Sequence, residues 1–295
     1  MPPAADPSLP NLTVAQLEYL VAVHRAPTWA DAAASLGVSP SALSQGLAEL
    51  ERRVGVPLFE RVGRRRRLAP SARPVLDHAE AVVARTRDLA RWAERARLGR
   101  VGTLRIGMID AAAVHHFPET LRRFRADRPE LDVRLAVAPS GELLARLLRA
   151  ELDVVVCVAP PRPLEGIEAD LLGEEPLAVH APPGTDLGPP AGWGPWVTFP
   201  MGSHTRLVIG TALAARGAPV DVVAESHQPE VLREMVRLGL GWTVLPGADA
   251  PRLTVRRLVV CRRAAAVPDT AALALVDDLR AAAPRVLSPP APPGG

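Results

Sequence analysis

The sequence predicts an α/β protein, with a small helical unit, one long helix, and two successive α/β lobes. Three observations predict it. Apolar residues recur at helical spacing, with capping signals, between Leu12 and Val54. A second seam repeats by four and three from Val75 to Ala96. From Thr103 onward, short apolar runs alternate with amphipathic stretches. The chain has 295 residues, 48% of them hydrophobic, enough for two domains or three lobes with a sizeable core.

Composition narrows the function classes. Arginine supplies all 35 cationic residues. Residues 11–73 hold nine Arg against five Asp or Glu, and residues 74–102 six against four. Residues 103–295 hold 20 against 22. The basic N-terminal third is therefore the expected partner of an anion, nucleic acid first. "MPPAADPSLP" lacks the basic and apolar regions of a signal peptide, and no run reaches the ~18 apolar residues of a membrane span. A cytoplasmic protein without a membrane partner is expected. Cys157 and Cys261 sit in apolar runs and read as two buried strand thiols, with a redox pair as the other reading.

Residues 1–10 and 288–295 read as disordered by composition. Residues 11–70 form the first domain. Leu12, Leu17, Leu20, Val21 and His24 mark one helix. Thr28 caps a second, Trp29 to Leu36, which ends at Gly37. Ser39 caps a third, with Pro40 in its first turn, where a missing N–H costs nothing. Leu43, Leu47 and Leu50 face inward, while Ser41, Ser44, Gln45 and Ala48 form a bare outer face. Two helices separated by "GVS" have helix-turn-helix spacing. Leu58-Phe59 and Arg67-Leu68 flank a Val62-Gly63 turn and predict a β-wing with Arg61, Arg64, Arg65, Arg66 and Arg67.

Residues 71–98 are expected as a linker helix. Val75, Ala79, Val82, Thr86, Leu89, Ala93 and Ala96 form its heptad seam, which predicts dimerisation. The other reading is a helix lying on its own domain. "GRVG" (99–102) is the hinge, and residues 103–287 form the α/β domain, its second lobe at about 183–258. Strands "TLRIGMI", "LDVRLAVA" and "LDVVVCV" alternate with helices, which predicts parallel sheet. "WVTFPMG", "DVVAES", "WTVLP" and "TVRRLVVC" supply a second set, with a cleft expected between the lobes.

The stretch from "LEYLVAVHRAPTWADAAASLGVS" through "ALS", "GVPLFER" and the arginine-rich wing resembles the winged helix-turn-helix of LysR-type transcriptional regulators. "TLRIGM", "FPETLRRFRADRPELDVRL", "GSHTR" and "GLGWTVLP" match later landmarks, so the resemblance runs from Leu12 to Ala283. It implies a two-lobed, periplasmic-binding-protein-like effector domain and a DNA-binding regulator that works as a homodimer or homotetramer and contacts RNA polymerase. Pro40, Ser41, Gln45, Ala69 and Asp31 depart from the family's usual residues. An operator unlike the family's common one is therefore expected.

The chemistry of each position fits that reading. Gln45 can pair with an adenine edge, Ser41 and Ser44 can donate or accept, and Ala48 can meet a thymine methyl. Arg64, Arg65 and Arg66 suit phosphates or a narrow minor groove. Arg61 either joins them or pairs with Glu60 or another nearby carboxylate. Thr28 and Ser39 can meet phosphates while capping. The resemblance places the effector against Asp110 and Ala111, Gly202, Ser203, His204 and Thr205, and Ser226 and His227. Ser203 and Thr205 precede a helix and can hold a carboxylate there, or merely cap it. Asp110 either caps the next helix or takes the amine of an amino acid effector. No cofactor or metal is expected, because loop His204 and His227 lack an acidic third partner. No GxSxG, Walker loop or GxGxxG occurs, so an enzyme is not expected. A solute-binding protein and a thiol sensor on the same scaffold are the remaining alternatives.

Overall fold

The structure is a computed structural model and describes residues 11–62, 65–98, 102–247, 250–264, 266 and 269–287. Two compact units divide the chain, residues 1–94 and 95–295.

The first unit opens with α1 (Val14–Arg25), held by a capping box between Thr13 and Gln16. In α2 (Trp29–Leu36), Thr28 accepts from the Asp31 N–H, and Gly37 ends the helix at φ +65°. That left-handed turn favours glycine and swings the chain into α3 (Pro40–Val54). Leu20, Leu43, Leu50 and Leu58 are fully buried where the helices meet. Gly46 has a packing reason. A Cβ there would stand 2.6 Å from the Tyr19 ring, so α1 and α3 approach closely at this point. β1 (Phe59–Val62) and β2 (Arg65–Leu68) pair antiparallel, from Phe59 opposite Leu68 to Val62 opposite Arg65.

A short 3-10 turn (Pro70–Ala72) leads into α4 (Arg73–Leu98). Here the helix has two apolar faces. Leu76, Ala79 and Val83 are the residues buried in the core of the first unit, whereas Val75 and Val82 only flank it. Leu89 and Trp92 further along are 56% and 50% exposed. The start of the helix thus lies on its own domain, and its later turns offer an apolar face.

The second unit holds a mixed six-stranded sheet, ordered β4-β3-β5-β10-β6-β9, and a two-stranded parallel sheet, β7-β8. β3 (Thr103–Met108), β4 (Asp132–Val137) and β5 (Val154–Val158) are parallel, as expected. A π-helical turn (Ala112–His116) and α5 (Pro118–Ala126) follow β3, and α6 (Ser140–Leu148) follows β4. β7 (Trp196–Thr198), α7 (His204–Ala214), β8 (Val222–Glu225), α8 (Pro229–Arg237) and β9 (Thr243–Pro246) build the second lobe. α9 (Thr270–Val286) returns to the first.

The expectation of parallel sheet alone is corrected. β6 (Ile167–His180) and β10 (Arg252–Arg263) run antiparallel through both lobes. Leu258 to Cys261 of β10 pack in the first lobe's core, and Leu253 packs in the second's. Leu171 and Leu177 of β6 divide the same way. Two strands therefore join the lobes. Cys157 on β5 and Cys261 on β10 lie on neighbouring strands, both fully buried. No helix among the described residues is long and apolar enough to cross a membrane.

Candidate functional site

Two regions carry candidate chemistry, one in each unit. The first is the outer face of α3. Ser39 accepts from the Ala42 N–H at 3.2 Å, and its hydroxyl lies 3.0 Å from that of Ser41. Thr28 accepts from the Asp31 N–H at 3.1 Å and donates to Asp31 Oδ2 at 2.7 Å. Both caps are thus formed within the chain. Pro40, Ser41, Ser44, Gln45 and Ala48 are all exposed. Past them the helix becomes ionic. Glu49 accepts from Arg52 Nη2 at 2.6 Å and from Arg53 Nε at 2.5 Å. Hydrogen bonds from Arg52 and then Arg53 hold the Glu49 carboxyl at about 2. Its charge is therefore more than compensated, and the uncharged patch ends in a cluster of net charge +1. In the wing, the strand backbones of Arg61, Arg65 and Arg66 are placed, with Arg61 opposite Arg66. Their side chains, and Arg64 as a whole, lie outside the described residues.

The second region is a cavity of about 210 Å³ between the two lobes. Asp110 and Ala111 line it after β3, Ser140 from the start of α6, Ser203 and Thr205 from α7, His227 and Pro229 beside α8, and Arg256 from β10. Three expected residues stand elsewhere. Gly202, His204 and Ser226 are not in its wall. His204 Nδ1 lies 3.1 Å from the Val158 carbonyl oxygen, Ser226 accepts from the Gln228 N–H at 3.1 Å, and Gly202 sits in the turn before α7 at φ +85°. Ser203 caps α7 by accepting from the Arg206 N–H at 3.4 Å.

Behind the cavity is a buried polar group that the sequence reading did not find. Arg256, 4% exposed, donates from Nε to Glu175 Oε2 at 2.5 Å and from Nη1 to Thr205 at 2.9 Å. His116 Nε2 lies 2.6 Å from the other Glu175 oxygen. Burial alone would push the Glu175 carboxyl up. The charge of Arg256 and the hydrogen bond with His116 offset it and hold the group below the usual carboxylate range. The signal was present in part, since Arg256 and Arg257 stand side by side before the apolar run Leu258–Cys261. Its partner Glu175 could not be inferred, because its strand was not recognised.

An acidic cluster stands at the edge of the cavity, with Asp110 in the wall and His115 and Glu230 outside it. Asp110 makes no cap bond; its Oδ1 is buried without a hydrogen-bond partner. Burial, then the charge of Glu230, pushes its carboxyl up, against smaller opposing effects of His115 and Arg256. Donor atoms of Asp110, His115 and Glu230 all lie within 4.8 Å of one another. Asp110 and His115 belong to the first lobe and Glu230 to α8 of the second.

Comparisons with known proteins bear on both regions. Residues 14–73 match the family model described as "Bacterial regulatory helix-turn-helix protein, lysR family". Residues 97–286 match "LysR substrate binding domain". The chain is 28% identical over 241 residues to the transcriptional regulator CbbR of Xanthobacter flavus, covering 79% of this chain and 72% of that one. It is 35% identical over 175 residues to a probable hydrogen peroxide-inducible genes activator of Mycobacterium xenopi, covering 59% of this chain and 92% of that one. Full-length CbnR, solved in complex with its target DNA, shares the fold at TM-score 0.58 and 20% identity, over 92% of this chain and all of that one.

Proposed function

Because the chain belongs to the LysR family of bacterial helix-turn-helix transcriptional regulators, we propose that α3 reads operator bases while a small effector in the cleft resets DNA binding. One observation carries the reading. Ser41, Ser44, Gln45 and Ala48 are exposed and uncharged on a helix whose opposite leucines are buried. A helix pressed into the major groove needs such a face. Gln45 and Ser44 are the base readers in this proposal, and Ser41 and Ala48 flank them. Pro40 starts the helix at the groove. Thr28 and Ser39 present their helix N-termini to phosphates. Arg61, Arg64, Arg65 and Arg66 of the wing supply sequence-independent contacts.

The exposed Leu89 and Trp92 of α4 are the proposed contact between two copies, and a dimer of dimers is the proposed full assembly. Such a dimer sets two reading helices about one DNA turn, ~34 Å, or a multiple apart. The protein then works in the cytoplasm, with RNA polymerase as its downstream partner. Its effector is an organic acid or amino acid held at Ser203, Thr205 and Asp110. That effector acts only through its differential affinity for the DNA-bound arrangements.

Genome-wide recovery of bound DNA from the native host tests this reading. Discrete paired half-sites whose occupancy changes with a metabolite are expected. Uniform binding to all duplexes, or single unpaired half-sites, would contradict it.

The likeness to a peroxide-inducible activator favours a second reading, thiol sensing by Cys157 and Cys261. Their environment opposes it. Both thiols are fully buried, and the hydrogen bond with Cys261, then burial, pushes the Cys157 thiol up. Thiolates, not buried thiols, react with peroxide. Mass spectrometry after mild peroxide should find both unmodified in the folded protein.

A further inference from the structure

We infer that the cleft is built for a zwitterion, an α-amino acid with a short apolar side chain, its carboxylate at Arg256 and its ammonium between Asp110 and Glu230. This rests on the effector reading above and narrows its ligand class.

The basic pole is preformed. Arg256 lines the cavity, is 4% exposed, and is fixed by Glu175 and Thr205 at 2.5 and 2.9 Å. Those bonds use Nε and Nη1, and Nη2 has no protein partner among the described residues. A guanidinium held on two sides presents its remaining N–H groups to a planar anion with little entropy left to lose. Ser203 and Thr205, at the first turn of α7, stand on the same wall.

The acidic pole is Asp110 in the wall with Glu230 just outside it, where Glu230 also stands 3.9 Å from His115 Nε2. Asp110 Oδ1 is buried with no hydrogen bond, which is costly for a carboxylate oxygen. Glu230 adds a second negative charge close enough to raise the Asp110 carboxyl. An ammonium brings three donors and one positive charge, so it answers both the missing bond and the repulsion. A simple carboxylate does neither, and adds a further negative charge beside two others. The two carboxylates come from opposite lobes, so a bound ammonium also ties the lobes together. Between the poles, Val137, Ala138, Phe199 and Pro229 give apolar walls, and about 210 Å³ suits a small side chain.

The test is calorimetry on the full chain with matched probes. These are valine, leucine, isoleucine and methionine, the same carbon skeletons as carboxylic acids without the amine, and as amines without the carboxylate. Manganese chloride and a panel of organic acids serve as further arms. At least one amino acid should bind, with its matched acid and amine weaker by tenfold or more. Asp110→Asn and Glu230→Gln should erase that preference without lowering the melting temperature. Equal binding of an amino acid and its matched acid would overturn the zwitterion. So would manganese binding abolished by Asp110→Asn, which would make the cluster a metal site. If only organic acids bind, the effector reading stands and this narrowing falls. If no probe binds and operator affinity responds to none, both fall.

Discussion

The outer face of α3 and the wall of the cleft are both polar, yet they are built in opposite ways. On α3, the side chains of Ser44 and Gln45 are exposed and make no hydrogen bond among the described residues. Behind the cleft, Arg256, Glu175 and Thr205 are buried and, with half-buried His116, bonded in one network. The difference fits what each surface is proposed to recognise. A groove of DNA brings its own donors and acceptors, so a reader is best left free and hydrated until contact. A small ligand offers few groups, so its anchor must be fixed beforehand.

The largest effect should come from breaking the fixed side. Arg256→Met leaves Glu175 buried without its partner and should cost about 3–5 kcal/mol in chemical denaturation. Adding Glu175→Leu should recover much of it. The Glu175 carboxyl lies below its ordinary value when folded. Its contribution is therefore full above the unfolded carboxylate pKa, about 4.3, and is lost as pH falls through the lower folded value. Glu175→Gln should flatten that acid-side loss. Equal acid sensitivity in both proteins would show that the ion pair contributes nothing.

The free side should behave differently. Gln45→Ala should leave stability unchanged but alter base preference, by about 1–3 kcal/mol at one position in an operator-variant binding series. An equal loss on every variant would remove Gln45 as a reader. A smaller change is expected in the wing. Arg65→Ala should weaken all sequences alike and reduce the salt slope by about 1. The smallest effect sharpens the comparison from within the cleft. Asp110 has its carboxyl pushed up on folding, so its ionised form opposes folding at neutral pH. Asp110→Asn should therefore raise the melting temperature slightly in the absence of ligand, while weakening ligand binding.

The local readings transferred well because local rules decide them. Ser39, Pro40 and Gly37 set helix ends through capping and φ, and the bounds of α2 fall at Trp29 and Leu36 as expected. The inward leucines of α3 follow from a 3.6-residue period alone. β6 was missed because Gly173 and Pro176 interrupt it and its residues do not alternate cleanly between buried and exposed. Its pairing comes from β10, more than seventy residues away. On α4, Leu76 and Val83 belong to the core of the first unit one position past the expected seam residues Val75 and Val82, a face that the seam's own period did not mark.

The sequence by itself determined the helix-turn-helix, its bare outer face, and the succession of lobes, since each is encoded within a few turns of chain. Only the tertiary structure decided the cleft. Strands β6 and β10 run through both lobes and bring Glu175 to Arg256, and the fold sets Asp110 near Glu230 across the opening. Such pairings have no period and no spacing. They exist only where burial removes water, so that each charge needs a partner that the chain must bring from far away.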